Sequence, residues 1–104
     1  TCKRTEGTED EAIMLADLLA KSDERIVSIM VLAKETVRVI VSAGRKAVAS
    51  GIDAGKIARE LAPIVGGSGG GKPYFGQGGG ADVKKADRVL TKAKEIVAKM
   101  VRSR

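Results

Sequence analysis

The stretch VGGSGGGKPYFGQGGG (residues 65–80) decides how this chain is read. Nine of its sixteen residues are glycine, out of thirteen glycines in 104 residues. Fixing glycine in a fold costs more backbone entropy than fixing any other residue. Such a run is therefore either a flexible linker or a loop whose main chain must come close to something. A linker is the weaker reading, because KPYFGQ (residues 72–77) interrupts it, where flexible linkers add Ser, Thr or Gln without aromatic residues or Pro.

Two phosphate-binding motifs are approached and missed. Residues 66–72 read G-x-x-x-x-G-K, the opening of a P-loop. The magnesium-binding Ser or Thr that should follow is Pro73, and a helical pattern precedes the stretch where a strand is needed. Residues 76–81 read G-x-G-x-x-A before a helix. The chain then ends without the strand and acidic residue that a dinucleotide fingerprint requires. What is left is a loop for a sugar-phosphate backbone. Glycine amides turned into one concavity bind anions, Lys72 adds charge, Gln77 can reach a ribose or base edge, and Tyr74 or Phe75 can either stack on a base or anchor the core.

Working outward, the flanks read as ordinary secondary structure. TEDE (residues 8–11) is a capping box that starts a helix running to about Ala20, with Ala12, Leu15, Ala16 and Leu19 on one face. The short TCKRT before it fits an edge strand. RIVSIMVLA (25–33) and TVRVIVSA (36–43) are β-branched runs close enough for a hairpin, the first apolar on both sides as in a central strand. SAGRKAVASG (42–51) fits a loop with one helical turn. Asp53 is an N-cap for a helix to about Ala62, with Ile52 and Ile57 as a staple and Pro63 as its kink or stop.

From Asp82 onward Val83, Ala86, Leu90, Ala93, Val97 and Met100 recur by threes and fours, and Val89, Ile96 and Val101 widen the stripe. That width suits a helix laid on a sheet better than a coiled coil. Its opposite face carries Lys84, Lys85, Arg88, Lys92, Lys99 and Arg102. The expected fold is α/β: a small mixed sheet containing a β-hairpin, packed by three helices, with a glycine-rich loop before the last helix. One domain over residues 1–104 accommodates it, with an aliphatic core, since Tyr74 and Phe75 are the only aromatic residues.

Composition narrows the function. No apolar run approaches the length of a membrane span, the polar N-terminal segment is unlike a secretory signal, and a start at Thr1 fits a fragment or processed form. Cys2 is the lone cysteine and histidine is absent. An internal disulfide is thus excluded, a zinc site is disfavoured, and a reducing, intracellular setting is implied. Neither an acid–base pair nor an activated nucleophile stands out, so no catalytic residue, metal or cofactor is expected. Net charge is +6, but residues 1–24 sum to −4 while the rest is basic. Such a gradient suits a polyanionic partner. The plain alternative is a lysine-rich solvated surface on an oligomerisation domain.

The stretch from Ala54 to Gly80 resembles the C-terminal globular domain of alanyl-tRNA synthetases, the DHHA1-type or C-Ala domain. That family has a helix, a pattern like G-G-x-G-G-G-[RK]-P, a short strand ending in Gln and small residues, and a second helix. Gly66, Gly67, Gly69, Gly70, Gly71, Lys72, Pro73, Gln77, Gly79 and Gly80 carry the match. Lys72 stands where Arg is commoner, Tyr74 and Phe75 replace an acidic residue and Met, and Gly76 replaces Ala. The aminoacylation and editing motifs of such synthetases are absent.

The resemblance implies a non-catalytic domain that holds the elbow of a tRNA, with alanine tRNA expected, and helps link aminoacylation to editing in a cytoplasmic ligase. Partners would be the synthetase's other domains and, as in some members, a second copy. DHH-type phosphoesterases use a related domain, with a Gly-Gly-Gly-His-like motif, to bind a nucleotide. Here Lys72 follows Gly71, which argues against that enzyme. The residues expected to touch RNA are Arg45, Lys46, Gly66, Gly67, Gly69, Gly70, Gly71, Lys72, Gln77, Lys84, Lys85 and Arg88.

Overall fold

The computed structural model describes residues 2–4 and 8–102. Five strands form one sheet in the order β1-β2-β3-β5-β4: β1 (Cys2–Arg4), β2 (Val27–Ala33), β3 (Val37–Ala43), β4 (Ser68–Lys72) and β5 (Phe75–Gly80). β1 runs parallel to β2 at one edge, and the other four are mutually antiparallel. The helices are α1 (Glu9–Ser22), the short α2 (Arg45–Ala49), α3 (Ala54–Leu61) and α4 (Ala86–Arg102).

The alternation of β3 explains the layering. Val37, Val39 and Val41 join Ile29 and Val31 on one face, where Ile57 and Leu61 of α3 and Val89, Ala93 and Ile96 of α4 cover them. On the other face Met30, Leu32 and Ile40 are covered by Ala12 and Ala16 of α1, with Phe75 packed at the margin. The Ser42 hydroxyl, buried under α1, donates to the Ala16 carbonyl at 3.4 Å. Arg38, at the other end of the same strand face, is exposed. The face is therefore half covered, as the Arg38-Ile40-Ser42 alternation suggests.

Caps set the helix starts. The Thr8 hydroxyl accepts from the Glu11 amide at 3.1 Å, and the Asp53 carboxylate accepts from the Lys56 amide at 3.1 Å. Pro63 does not simply stop α3. It converts the chain to a 3-10 turn over Ala62–Val65, which Gly66 closes in the left-handed conformation at φ 76°. A second 3-10 turn, Val83–Lys85, leads into α4, so the last α-helix begins four residues after Asp82. Within α4 the side chains of Val101 and Arg102 lie outside the described residues.

The glycine-rich stretch corrects its reading as a loop: it is a β-hairpin, β4 and β5 joined through Pro73 and Tyr74. The reason lies in α3. Its backbone rests directly on the hairpin, and glycine at every second position makes room. A Cβ on Gly76 would lie 2.5 Å from the Ala54 carbonyl oxygen and 2.8 Å from Gly55 Cα. One on Gly69 would lie 2.8 Å from the Ala58 carbonyl oxygen. Real side chains do not fit there. The hairpin turn is tied back as well, since the Ala54 amide donates to the Pro73 carbonyl at 2.8 Å and the Ala43 amide donates to the Tyr74 carbonyl at 3.0 Å.

Gly70 differs. It sits on the opposite face, and the nearest atoms to a built Cβ are the Arg59 guanidinium nitrogens at 3.9 Å. Gly76→Ala is expected to cost about 1–3 kcal/mol through overpacking, whereas Gly70→Ala should stay within about 0.5 kcal/mol. Urea unfolding of the two variants measures both. Equal costs would contradict the helix-on-hairpin contact.

Candidate nucleic-acid interface

The hairpin has two unlike faces. Gly69, Gly71, Gly76, Gly78 and Gly80 point toward α3 and its following turn. The register places Ser68, Gly70 and Lys72 beside Gly79, Gln77 and Phe75 on the other face, continued by Arg38 across β3. Apart from Phe75, which packs against the α1-side core, this second face is poorly covered: Ser68, Lys72, Gln77 and Arg38 are exposed. It is a shallow surface floored by glycine backbone, with a polar or cationic side chain at intervals.

The twelve residues expected from sequence do not converge on one concavity. Lys72 lies at the hairpin turn, the end of the sheet where β3 leads into α2 with Arg45 and Lys46. Gly66 and Gly67 lie at the opposite end, beside the turn carrying Lys84 and Lys85 and the start of α4 with Arg88. Five strand residues at ~3.3 Å each separate the ends by about 17 Å. Gly69, Gly70, Gly71 and Gln77 lie between them. The single anion-binding nest is thus corrected: the peptide groups are strung along a ladder, not gathered around one point. Gly67, Gly69 and Gly71 are glycine because neighbouring backbone crowds them, so any external partner meets the Gly70 side.

Charge is distributed unequally over these groups. Glu24 takes Arg45 at 2.7 Å and Lys46 at 3.7 Å, neutralising part of that end. At the other end Lys85 faces Asp82 at 3.6 Å, while Lys84 and Arg88 are exposed with no ion pair among the described residues. The Lys72 ammonium lies 5.8 Å from the ring centre of Tyr74, whose ring is exposed. Tyr74 is thus free to meet a partner, and Phe75 belongs to the core.

An open depression of about 550 Å³ runs between the 3-10 turn at Ile64 and the side chains Lys85, Asp87, Arg88, Thr91, Lys92 and Glu95. Its charge is mixed, and Lys92 is paired with Glu95 at 3.4 Å. Among the described residues there is no group of three or more acidic or cysteine side chains that could hold a metal ion. No helix among them is long and apolar enough to cross a membrane.

Two cations escaped the sequence reading. Arg38 shares the open face with Gln77 and Gly79, and Arg59 reaches round the sheet edge to Gly70. Period-two glycine at 67, 69, 71 and at 76, 78, 80 was the available signal for strands, and it assigns Ser68, Gly70, Lys72 and Gln77 to a common face.

A protein-family model described as the DHHA1 domain matches residues 3–99. The chain belongs to the DHHA1 domain family. It is 42% identical over 74 residues to an alanine–tRNA ligase of Methanosarcina mazei, covering 71% of this chain and 8% of that ligase. It is 48% identical over 65 residues to one of Nitrosopumilus maritimus, covering 62% and 7%. The match thus spans under a tenth of the length of these two ligases. Its fold is similar to the crystal structure of the C-Ala domain from Aquifex aeolicus alanyl-tRNA synthetase, with TM-score 0.80 and 25% identity over 91% of this chain and 86% of that one. This DHHA1 domain is of the C-Ala type, a small domain of alanyl-tRNA synthetases and not their catalytic region.

The charge distribution makes a prediction independent of any particular RNA. On a heparin column, Lys84→Ala with Arg88→Ala should lower the eluting salt concentration more than Arg45→Ala with Lys46→Ala, because Glu24 already offsets the second pair. The reverse order would contradict the assignment of the more available positive charge to the α4 end.

Proposed function

We propose that this DHHA1 domain is the tRNA-holding part of an alanine–tRNA ligase. It binds the outer corner of the tRNA, where the D and T loops meet, and has no chemical step of its own. In the whole enzyme it helps carry one bound tRNA between aminoacylation and editing, in the cytoplasm, and contributes to dimerisation where a second copy is present.

The observation that carries this reading is the uncovered hairpin face, with cations at both ends. An uncovered sheet face whose exposed side chains are polar or cationic, Ser68, Lys72, Gln77 and Arg38, admits a bulky, rigid partner. Cations at opposite ends of a five-residue strand suit separate phosphates on a folded RNA better than one small anion. Phosphate contacts supply affinity and strong salt dependence. Selection among RNAs then rests on folded shape, with stacking on Tyr74 and hydrogen bonds from Gln77 as local additions. The reading as a nucleotide-binding domain of a DHH-type phosphoesterase has less support, because the chain has no histidine for the motif of that family.

Fluorescence-anisotropy titration against an intact tRNA, and against one whose D- and T-loop contact is broken, tests the proposal at several salt concentrations. Tighter binding to the intact elbow is expected. Lys72→Ala should weaken binding to different tRNAs alike and reduce the salt slope by about one. Equal binding to intact and broken tRNA, erased by salt in both cases, would reduce the interaction to generic basic adhesion.

A further inference from the structure

Helix α1 is built inside out. The residues it turns toward the sheet are small, Ala12 and Ala16, with Ile13 and Leu19 partly buried beside them. Its larger side chains face water: Met14 is 67% exposed, Leu18 56% and Leu15 37%. Met14 and Leu18 are four residues apart and Leu15 and Leu18 three, so the three form one contiguous ridge. Among the described residues, the other large exposed hydrophobic is Tyr74. A concentrated exposed apolar ridge marks an interaction surface.

The ridge has an acidic rim. Asp10 and Glu11 are exposed one turn before Met14, and Asp17 lies between the ridge positions, paired with Lys21 at 3.0 Å. The acidic surroundings repel RNA. They also disfavour a second copy laid α1 against α1, because two rims of net negative charge would meet. Complementarity points instead to a narrow element with an apolar stripe and flanking Lys or Arg.

We infer that α1 is a docking surface for a basic amphipathic helix of a protein. Met14, Leu15 and Leu18 seat its apolar stripe and Asp10 and Glu11 pair its cations. This surface is the outward side of the helix that covers β2 and β3 on the same sheet face as the open side of the hairpin.

The test uses a fluorescein-labelled 18-residue Leu/Lys amphipathic helix as probe, titrated with the full 104-residue chain. The expected result is saturable binding that a scrambled peptide of the same composition and a Leu/Glu helix do not reproduce. The Met14→Gln, Leu18→Gln double variant should bind at least about tenfold more weakly. Both positions are exposed, so its circular dichroism and melting should match the parent. A second variant, Asp10→Asn with Glu11→Gln, should weaken binding and flatten its salt dependence with the ridge intact.

Absence of binding, equal binding by the scrambled peptide, or unchanged affinity in the ridge variant would overturn the proposal. So would displacement of the probe by tRNA, which would place RNA on α1. Sedimentation of the unlabelled chain covers the remaining occupant: a dimer lost in the ridge variant would make α1 a self-association surface and contradict the assignment to a basic helix.

Discussion

The structure depends on the direct seating of the α3 backbone on the backbone of the β4–β5 hairpin. Helix-on-sheet contacts usually run through interlocked side chains. Here Ala54, Gly55 and Ala58 on the helix oppose Gly69, Gly71 and Gly76 on the strands, with no room for a Cβ at the closest points. That approach fixes both ends of the hairpin. It ties the turn to the start of α3, brings the end of α3 into the 3-10 turn before Gly66, and so sets where β5 hands the chain to α4. It also spends the available coverage on one side. α3 and α4 both lie on the same face of the sheet, and α1 reaches only β2, β3 and the margin at Phe75. The uncovered half that results is the candidate interface.

The chain thereby separates two kinds of surface. The hairpin face and the start of α4 are open, flat and basic, suited to a partner that is large and anionic. The outward side of α1 is narrow, apolar and acidic. Glu24, in the connection after α1, clasps Arg45 and Lys46 of α2. Because exposed ion pairs contribute little to stability, the effect of that clasp is better seen in where the positive potential is strongest than in how firmly the domain folds.

Much of the fold was legible from local chemistry. Thr8 and Asp53 cap the helices they were expected to cap. The Val37-Val39-Val41 alternation faces a core of aliphatic side chains, and the wide stripe of α4 lies on the sheet and α3 together. The glycine stretch was harder. Glycine has low strand propensity, and its entropy cost argues for a loop. Tertiary packing against α3 overrides that preference, a constraint that becomes visible only when the small-residue stripe of α3 is set beside the alternation of the glycines. The same oversight scattered the expected site. Lys72 and Gly66 are neighbours in a loop reading and opposite ends of a strand in the structure, and Arg38 and Arg59 come to the surface only through strand register and a helix edge.

The central claim is that RNA meets the face of the hairpin turned away from α3. An NMR titration of the ¹⁵N-labelled chain with intact tRNA tests it most directly. The account predicts that amide shifts and broadening concentrate on Ser68, Gly70, Lys72, Gln77, Gly79 and Lys84, while the amides of α1 stay in place. Perturbations centred on α1 or on the last turns of α4, with the hairpin unmoved, would contradict it.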